Sequence, residues 1–182
     1  MDRQLLIDTL TTYTTDDLEE KKFVPAFLEL LRHPRAYYRD HLPGHITASA
    51  LIIDTNGENI LLLHHKKLDR WLQPGGHADG EENVLNVAKK EVLEETGLHT
   101  LQSYPGVFDI DIHVIPARTD FTEHLHYDIR FLFQADSGAR ILINDESHAL
   151  KWFPTEIIPQ VTGPGDSILR MLKKAEKLFA RE

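Results

Sequence analysis

The chain has 182 residues, 41% hydrophobic and 27% charged, with no cysteine and a formal net charge of -9 at pH 7. Such a composition suits one soluble globular domain with enough apolar material for a core, and it excludes disulfides and thiolate metal centres. The excess negative charge repels a phosphate backbone, which argues against a nucleic-acid polymer as partner but not against one small anionic substrate neutralised by cations held on oxygen or imidazole.

The first forty-odd residues read as helix. Thr15 or Asp16 is placed to cap a segment with Leu18, Phe23, Phe27, Leu30 and Leu31 at helical spacing, which Pro34 interrupts. Residues 1–44 are therefore expected to form a helical extension, and 45–182 the main domain. Strand-like runs follow at Ile46 to Ile53 and Asn59 to His64, separated by Asp54-Thr55-Asn56-Gly57, whose Asn-Gly step favours a tight hairpin. A Pro-Gly-Gly loop at 74–76 leads to a helix from about Asn83 to Thr96, and Gly97 suits a left-handed cap at its end. Later strands are expected at Phe108 to Ile115, Leu125 to Phe133 and Leu150 to Phe153, and an amphipathic helix at Ser167 to Phe179. The pattern is α+β. No apolar run approaches the ~20 residues needed to cross a bilayer, and Met1-Asp2-Arg3-Gln4 lacks the basic start of a secretory signal, so no membrane partner and a cytoplasmic location are expected. Nothing in the sequence decides whether the chain works alone or as a homodimer.

On the 83–96 helix, Glu91, Glu94 and Glu95 stand at i, i+3 and i+4 and share one face, beside an apolar stripe of Leu85, Ala88 and Val92. Close like charges repel, and partial burial raises the cost; a divalent cation resolves it, and oxygen ligands favour magnesium or manganese. Taken alone, the three could also be an ordinary solvated helix face.

They do not stand alone. The stretch from Gly76 through Glu82, Lys90, Glu91, Val92, Glu94, Glu95 and Gly97 to Leu98 resembles the Nudix box, G-x5-E-x7-R-E-U-x-E-E-x-G-U with U aliphatic. Six strictly specified positions match, which chance produces roughly once in ten million start positions at about 7% usage per residue type. One departs from the pattern: Lys90 stands where the family has an arginine, thought to steer the glutamate after it by a two-pronged contact that lysine cannot make. The resemblance implies an α/β/α sandwich around a mixed sheet, and a hydrolase that cuts a phosphoanhydride bond in a nucleoside diphosphate derivative with metal-activated water. It also implies that the main-chain carbonyl of Gly75 joins Glu94 and Glu95 in holding Mg2+ or Mn2+. Glu91 would activate water or position the metal, and Glu82 would steady the loop or share a second ion. Some relatives take a further carboxylate from a late loop, and Glu146 is the candidate here, with Asp145 its competitor. A non-catalytic nucleotide-binding module of the same fold is the alternative that Lys90 keeps open; an isomerase of the isopentenyl diphosphate kind would need a cysteine. The family's markers for ADP-ribose, dinucleoside polyphosphate, NADH and coenzyme A substrates are not found.

Two later strands alternate informatively. Asp109, Asp111 and His113 share one face of the first, and His124, His126, Asp128 and Arg130 one face of the second. If the strands pair, Asp111, His113, His126 and Arg130 line a surface for a base, sugar or phosphate, with Arg130 suited to phosphate oxygens and His77 joining from the Pro-Gly-Gly loop. Otherwise both are half-buried strands with polar faces in water.

Overall fold

In the computed structural model, which describes residues 1–119, 121–163 and 167–179, helices α1 (Arg3–Thr11) and α2 (Leu18–Leu30) precede a sheet. Its strands are β1 (Gly44–Asp54), β2 (Asn59–His65), β3 (Arg70–Leu72), β4 (Gly75–His77), β5 (Gln102–Ser103), β6 (Asp109–Ile115), β7 (His124–Ala135) and β8 (Ser147–Pro154). Helix α3 (Val84–Thr96) follows β4, and the short α4 (Ile158–Thr162) and α5 (Ile168–Phe179) follow β8.

The sheet is organised by β1, buried along its whole length. One edge of β1 runs parallel to β7 in unbroken register from Gly44 opposite Leu125 to Asp54 opposite Ala135. The other edge is divided: β4 pairs antiparallel with residues 47–49, and β2 joins at Ile53 opposite Ile60. Strands β3 and β8 extend the sheet from β2, while β5 and β6 pair antiparallel with β7. The sheet is mixed, as expected, and the Pro-Gly-Gly loop becomes a short strand because its backbone finds partners on β1.

Alternation along β1 sends side chains to two cores. Ile46, Ala48, Ala50 and Ile52 pack with α1, α2 and α3, whereas Leu51 and Ile53 pack with Ile60, Leu62 and Leu132 beneath Ile158 of α4 and Ile168, Met171, Leu172 and Ala175 of α5. Helices thus cover both faces. Leu6, Leu10, Phe27, Leu30 and Leu31 belong to the same cluster as Val84 and Val92, so the core continues across residue 44. The cap of α2 is Asp17, whose carboxylate accepts from the Glu19 and Glu20 N–H groups, and not Thr15 or Asp16; Thr15 instead turns its hydroxyl to Glu20. The turn after β1 uses Gly57 at φ 74, with the Asp54 carboxylate accepting from the Glu58 and Asn59 N–H groups.

The face under α5 is apolar for only half its length. Along β1 it reads His45, Thr47, Ser49, Leu51, Ile53, and the aligned residues of β7 read His126, Asp128, Arg130, Leu132. Polar residues therefore occupy the other half, beside the glutamates of α3.

Candidate active site

A cleft of about 2130 Å3 opens over this polar half, and Gly75, Gly76, Glu91, Glu94, Glu95 and Glu146 line part of it. Helix α3 starts at an Asn83 cap and ends at Gly97 in the left-handed conformation. Packing of Val84, Val87, Ala88 and Val92 fixes its rotation. Glu95 is thereby 7% exposed, and its Oε2 accepts the Gly75 N–H at 2.9 Å. A Cβ at Gly75 would lie 2.3 Å from that of Ser49, and one at Gly76 would lie 2.6 Å from the Glu91 carboxyl carbon. Glycine is required at Gly75, where β4 is wedged against the backbone of β1, and a side chain at Gly76 would displace the Glu91 carboxylate.

Burial pushes the Glu95 carboxyl up to about 8 against the pull of the Gly75 N–H, with Glu91, Glu146 and Glu94 adding to the rise. Glu91 is also raised, by burial first and then by Glu94, with Glu146 contributing. Glu146, on the loop before β8, is therefore close enough to act on both. Such a set of mutually repelling oxygen donors fits a hard divalent cation.

Two members of the box have other partners. Glu82 is ion-paired with Arg3 at 2.8 Å and does not line the cleft. Lys90 Nζ lies 3.7 Å from Glu94 in an exposed i,i+4 pair, so its ion-pair partner is Glu94, while its charge also acts on Glu91. A further cation, Arg39, grips Asp79 with two donors beside the cleft.

The two polar strands do pair, with Asp109 opposite Arg130, Asp111 opposite Asp128 and His113 opposite His126. Their inner residues are not in water. Arg130 is 3% exposed and donates to Asp128, Asp109, Asp111 and Ser167, so most of the donors expected to meet phosphate are already engaged. Asp128 also accepts from the hydroxyls of Thr47 and Ser49. From α5, Arg170 bonds Asp109 and Asp111, and Lys174 bonds Asp109 and the fully buried Glu20 of α2. Asp111 is held well below the usual carboxylate range, since the His113 hydrogen bond and the charges of Arg130 and Arg170 overcome burial. No sequence signal joins Glu20 to Lys174, or Asp109 to Arg170, because these partners are set by tertiary packing.

Of the predicted histidines, His113 sits half-exposed against Asp111 at 3.2 Å. His77 and His126 meet edge to face with ring centroids 4.8 Å apart, beside His45 and His124. Burial lowers His77 to about 4 and His126 to about 2, helped in His77 by Arg39 and His45 and in His126 by His77 and His113. His45 escapes sequence reasoning because only the parallel register with β7 brings it to His126.

Comparison with known proteins agrees with this architecture. A NUDIX domain family model matches residues 43–172. Over 110 residues the chain is 31% identical to "Nucleoside diphosphate-linked moiety X motif 6" of Xenopus laevis, covering 51% of this chain and 49% of that protein, so the chain spans about half of that relative. It is 30% identical over 115 residues to a "Putative 8-oxo-dGTP diphosphatase" of Bacillus subtilis (strain 168), covering 62% and 70%. Among solved structures, a C. elegans Ap4A hydrolase complex superposes with a TM-score of 0.61 at 18% identity over 75% of this chain and 98% of that one. A NUDIX family hydrolase from Clostridium perfringens gives 0.58 at 21% identity over 74% and 97%. At these identities the structural likeness establishes the fold alone.

Proposed function

Since this chain belongs to the NUDIX domain family, we propose that it hydrolyses a phosphoanhydride bond in a nucleoside diphosphate linked to another moiety. One observation carries the reading. Glu91, Glu94 and Glu95 project from α3 into the cleft beside Gly75 and Gly76, with Glu95 buried, in a set whose ionised form calls for a cation. The Gly75 carbonyl with Glu91, Glu94 and Glu95 would hold Mg2+, or Mn2+ in its place, and the ion would neutralise phosphate oxygens and acidify water.

The chain's own residues supply the rest. Glu91, held against Gly76, and Glu146, on the facing loop, are the candidate bases, and both are carboxylates in a strongly negative neighbourhood where proton uptake is favoured for Glu91. Positioning falls to the Glu95 bond to Gly75, which ties β4 to α3. Lys67, Arg70 and Arg118 line the same cleft and suit an anionic substrate, and Asp111 and His113 suit a base or sugar. The two sequence relatives, one named for nucleoside diphosphate-linked moieties and one for 8-oxo-dGTP, support a nucleotide anhydride as the substrate.

The test is a release assay over a panel of nucleoside diphosphate derivatives and nucleoside triphosphates, with products identified by mass. Turnover is expected with magnesium or manganese and is expected to vanish in excess chelator. Nucleotide binding without turnover of any compound would favour the non-catalytic module, and full turnover in chelator would overturn the metal assignment.

A further inference from the structure

We propose a second metal centre in this cleft, of different chemistry from the first: a four-imidazole site for a zinc-type divalent ion, formed by His45, His77, His124 and His126. One ring nitrogen from each of the four lies within 4.8 Å of all the others. The Nε2 atoms of His124 and His126 are 3.3 Å apart. Two nitrogens of a tetrahedral shell with bonds of ~2.0–2.1 Å stand ~3.3–3.4 Å apart, so this pair already has the span of two ligands of one ion.

The tautomers agree. His45 Nδ1 lies 3.3 Å from the His41 carbonyl oxygen, and His124 Nδ1 lies 2.8 Å from that of Thr122. A carbonyl only accepts, so in both rings Nδ1 carries the proton and Nε2 presents a lone pair to the cluster. Backbone carbonyls orienting ligand histidines in this way are a regular feature of metal sites. The independent observation is His45 itself, which is 1% exposed while its Nε2 has no hydrogen-bond partner. A buried lone pair facing three other imidazoles is costly without something to accept it. A hydrogen bond from His126 to His124 would satisfy those two rings and still leave His45 unanswered.

The donor set selects the metal. Four neutral nitrogens suit zinc and its neighbours in the first transition row and are a poor match for magnesium, whereas the glutamates of α3 offer only oxygen. One cleft would therefore sort two kinds of ion. The link between them is β4, since His77 lies two residues beyond Gly75 and, among the described residues, β4 pairs with β1 alone. An ion shared by His77, His45 on β1 and His124 and His126 on β7 would pin this three-residue strand to two neighbours and hold Gly75 and Gly76 where the glutamates need them. The site stands on its own geometry and does not depend on the proposed hydrolysis.

The experiment uses the full chain, stripped with chelator and titrated with Co2+ alone as a spectroscopic probe, then with Zn2+ in competition. We expect one equivalent of cobalt to give the intense visible absorption of a four-coordinate ion, and zinc to displace it. Zinc affinity is expected to fall at least 100-fold in a His45→Asn/His126→Asn double variant that retains its circular dichroism. Glu94→Gln/Glu95→Gln is expected to keep the four-coordinate spectrum. Cobalt giving only the weak bands of a six-coordinate ion in the unmodified chain would overturn the proposal, whatever the variants do. So would an unchanged spectrum in a folded histidine variant, or its loss in a folded glutamine variant.

Discussion

The buried position of Glu95 sets it apart among the three glutamates of α3. In the absence of a cation, burial raises its folded pKa to about 8 from the ordinary carboxylate value of 4.5. A group raised on folding contributes stability that is fully present below its unfolded pKa and lost as pH rises through the folded one. The metal-free protein should therefore lose stability between about pH 4.5 and 8, by up to a few kcal/mol at ~1.4 kcal/mol per unit. Glu95→Gln should flatten that slope and lower turnover at least ~100-fold by weakening cation binding. Chemical denaturation in chelator at several pH values measures the first, and equal slopes in both proteins would contradict the burial argument. Lys90 leads to the opposite expectation. From sequence it stands where an arginine would steer Glu91, yet it reaches Glu94 from an exposed position. Lys90→Ala should consequently keep turnover within about ten-fold at saturating magnesium, because an exposed i,i+4 pair contributes only ~0.3–0.5 kcal/mol. A loss of a thousand-fold would restore the steering role. The identities of the acidic residues were readable because i, i+3, i+4 spacing on a helix fixes their common face. Glu82 was not placed by the same reasoning, since it precedes the helix and its direction depends on Arg3 from a distant segment.

At the level of elements, what the sequence reveals depends on whether a strand's partner can be inferred. Alternation along β6 and β7 was enough to separate their polar faces, whereas the register that sets Asp109 opposite Arg130 comes from the fold. The burial of those faces was not readable, for it requires Arg170 and Lys174 from α5 to lie across them. The same holds for the parallel alignment of β1 with β7, which no local signal encodes and which places His45 beside His126. The network has a measurable consequence. Replacing Arg130 by Met leaves Asp109, Asp111 and Asp128 without their shared cation in a site where Arg130 is 3% exposed. Removing one side of a buried ion pair costs ~3–5 kcal/mol, and Arg130→Met should lower the urea midpoint accordingly. A change under 1 kcal/mol would show that the aspartates relax into protonated or solvated states.

Across the whole molecule, the boundary near residue 44 coincides with the start of the family match at 43, while the core runs through it. The helical texture of the first forty residues was legible from apolar spacing; their function as a wall of the core was not, because Leu6, Leu10 and Phe27 show their partners only in three dimensions. Deleting residues 1–43 should expose Ile46, Ala48 and Val92 and remove the Glu20 carboxylate from Lys174, leaving a fragment that is insoluble or lacks a cooperative thermal transition. A truncated chain with the unfolding temperature of the full chain would show that the sheet and α3 suffice. Glu20 also has a bearing on the order of events during synthesis. It is fully buried, and Lys174, its cationic partner, is made 154 residues later. At roughly 5–20 residues per second, about 8–30 s of translation separate the two. Throughout that interval the nascent α2 carries a charge it cannot bury without its counterion, so α2 must wait for α5 before it can dock in its final place.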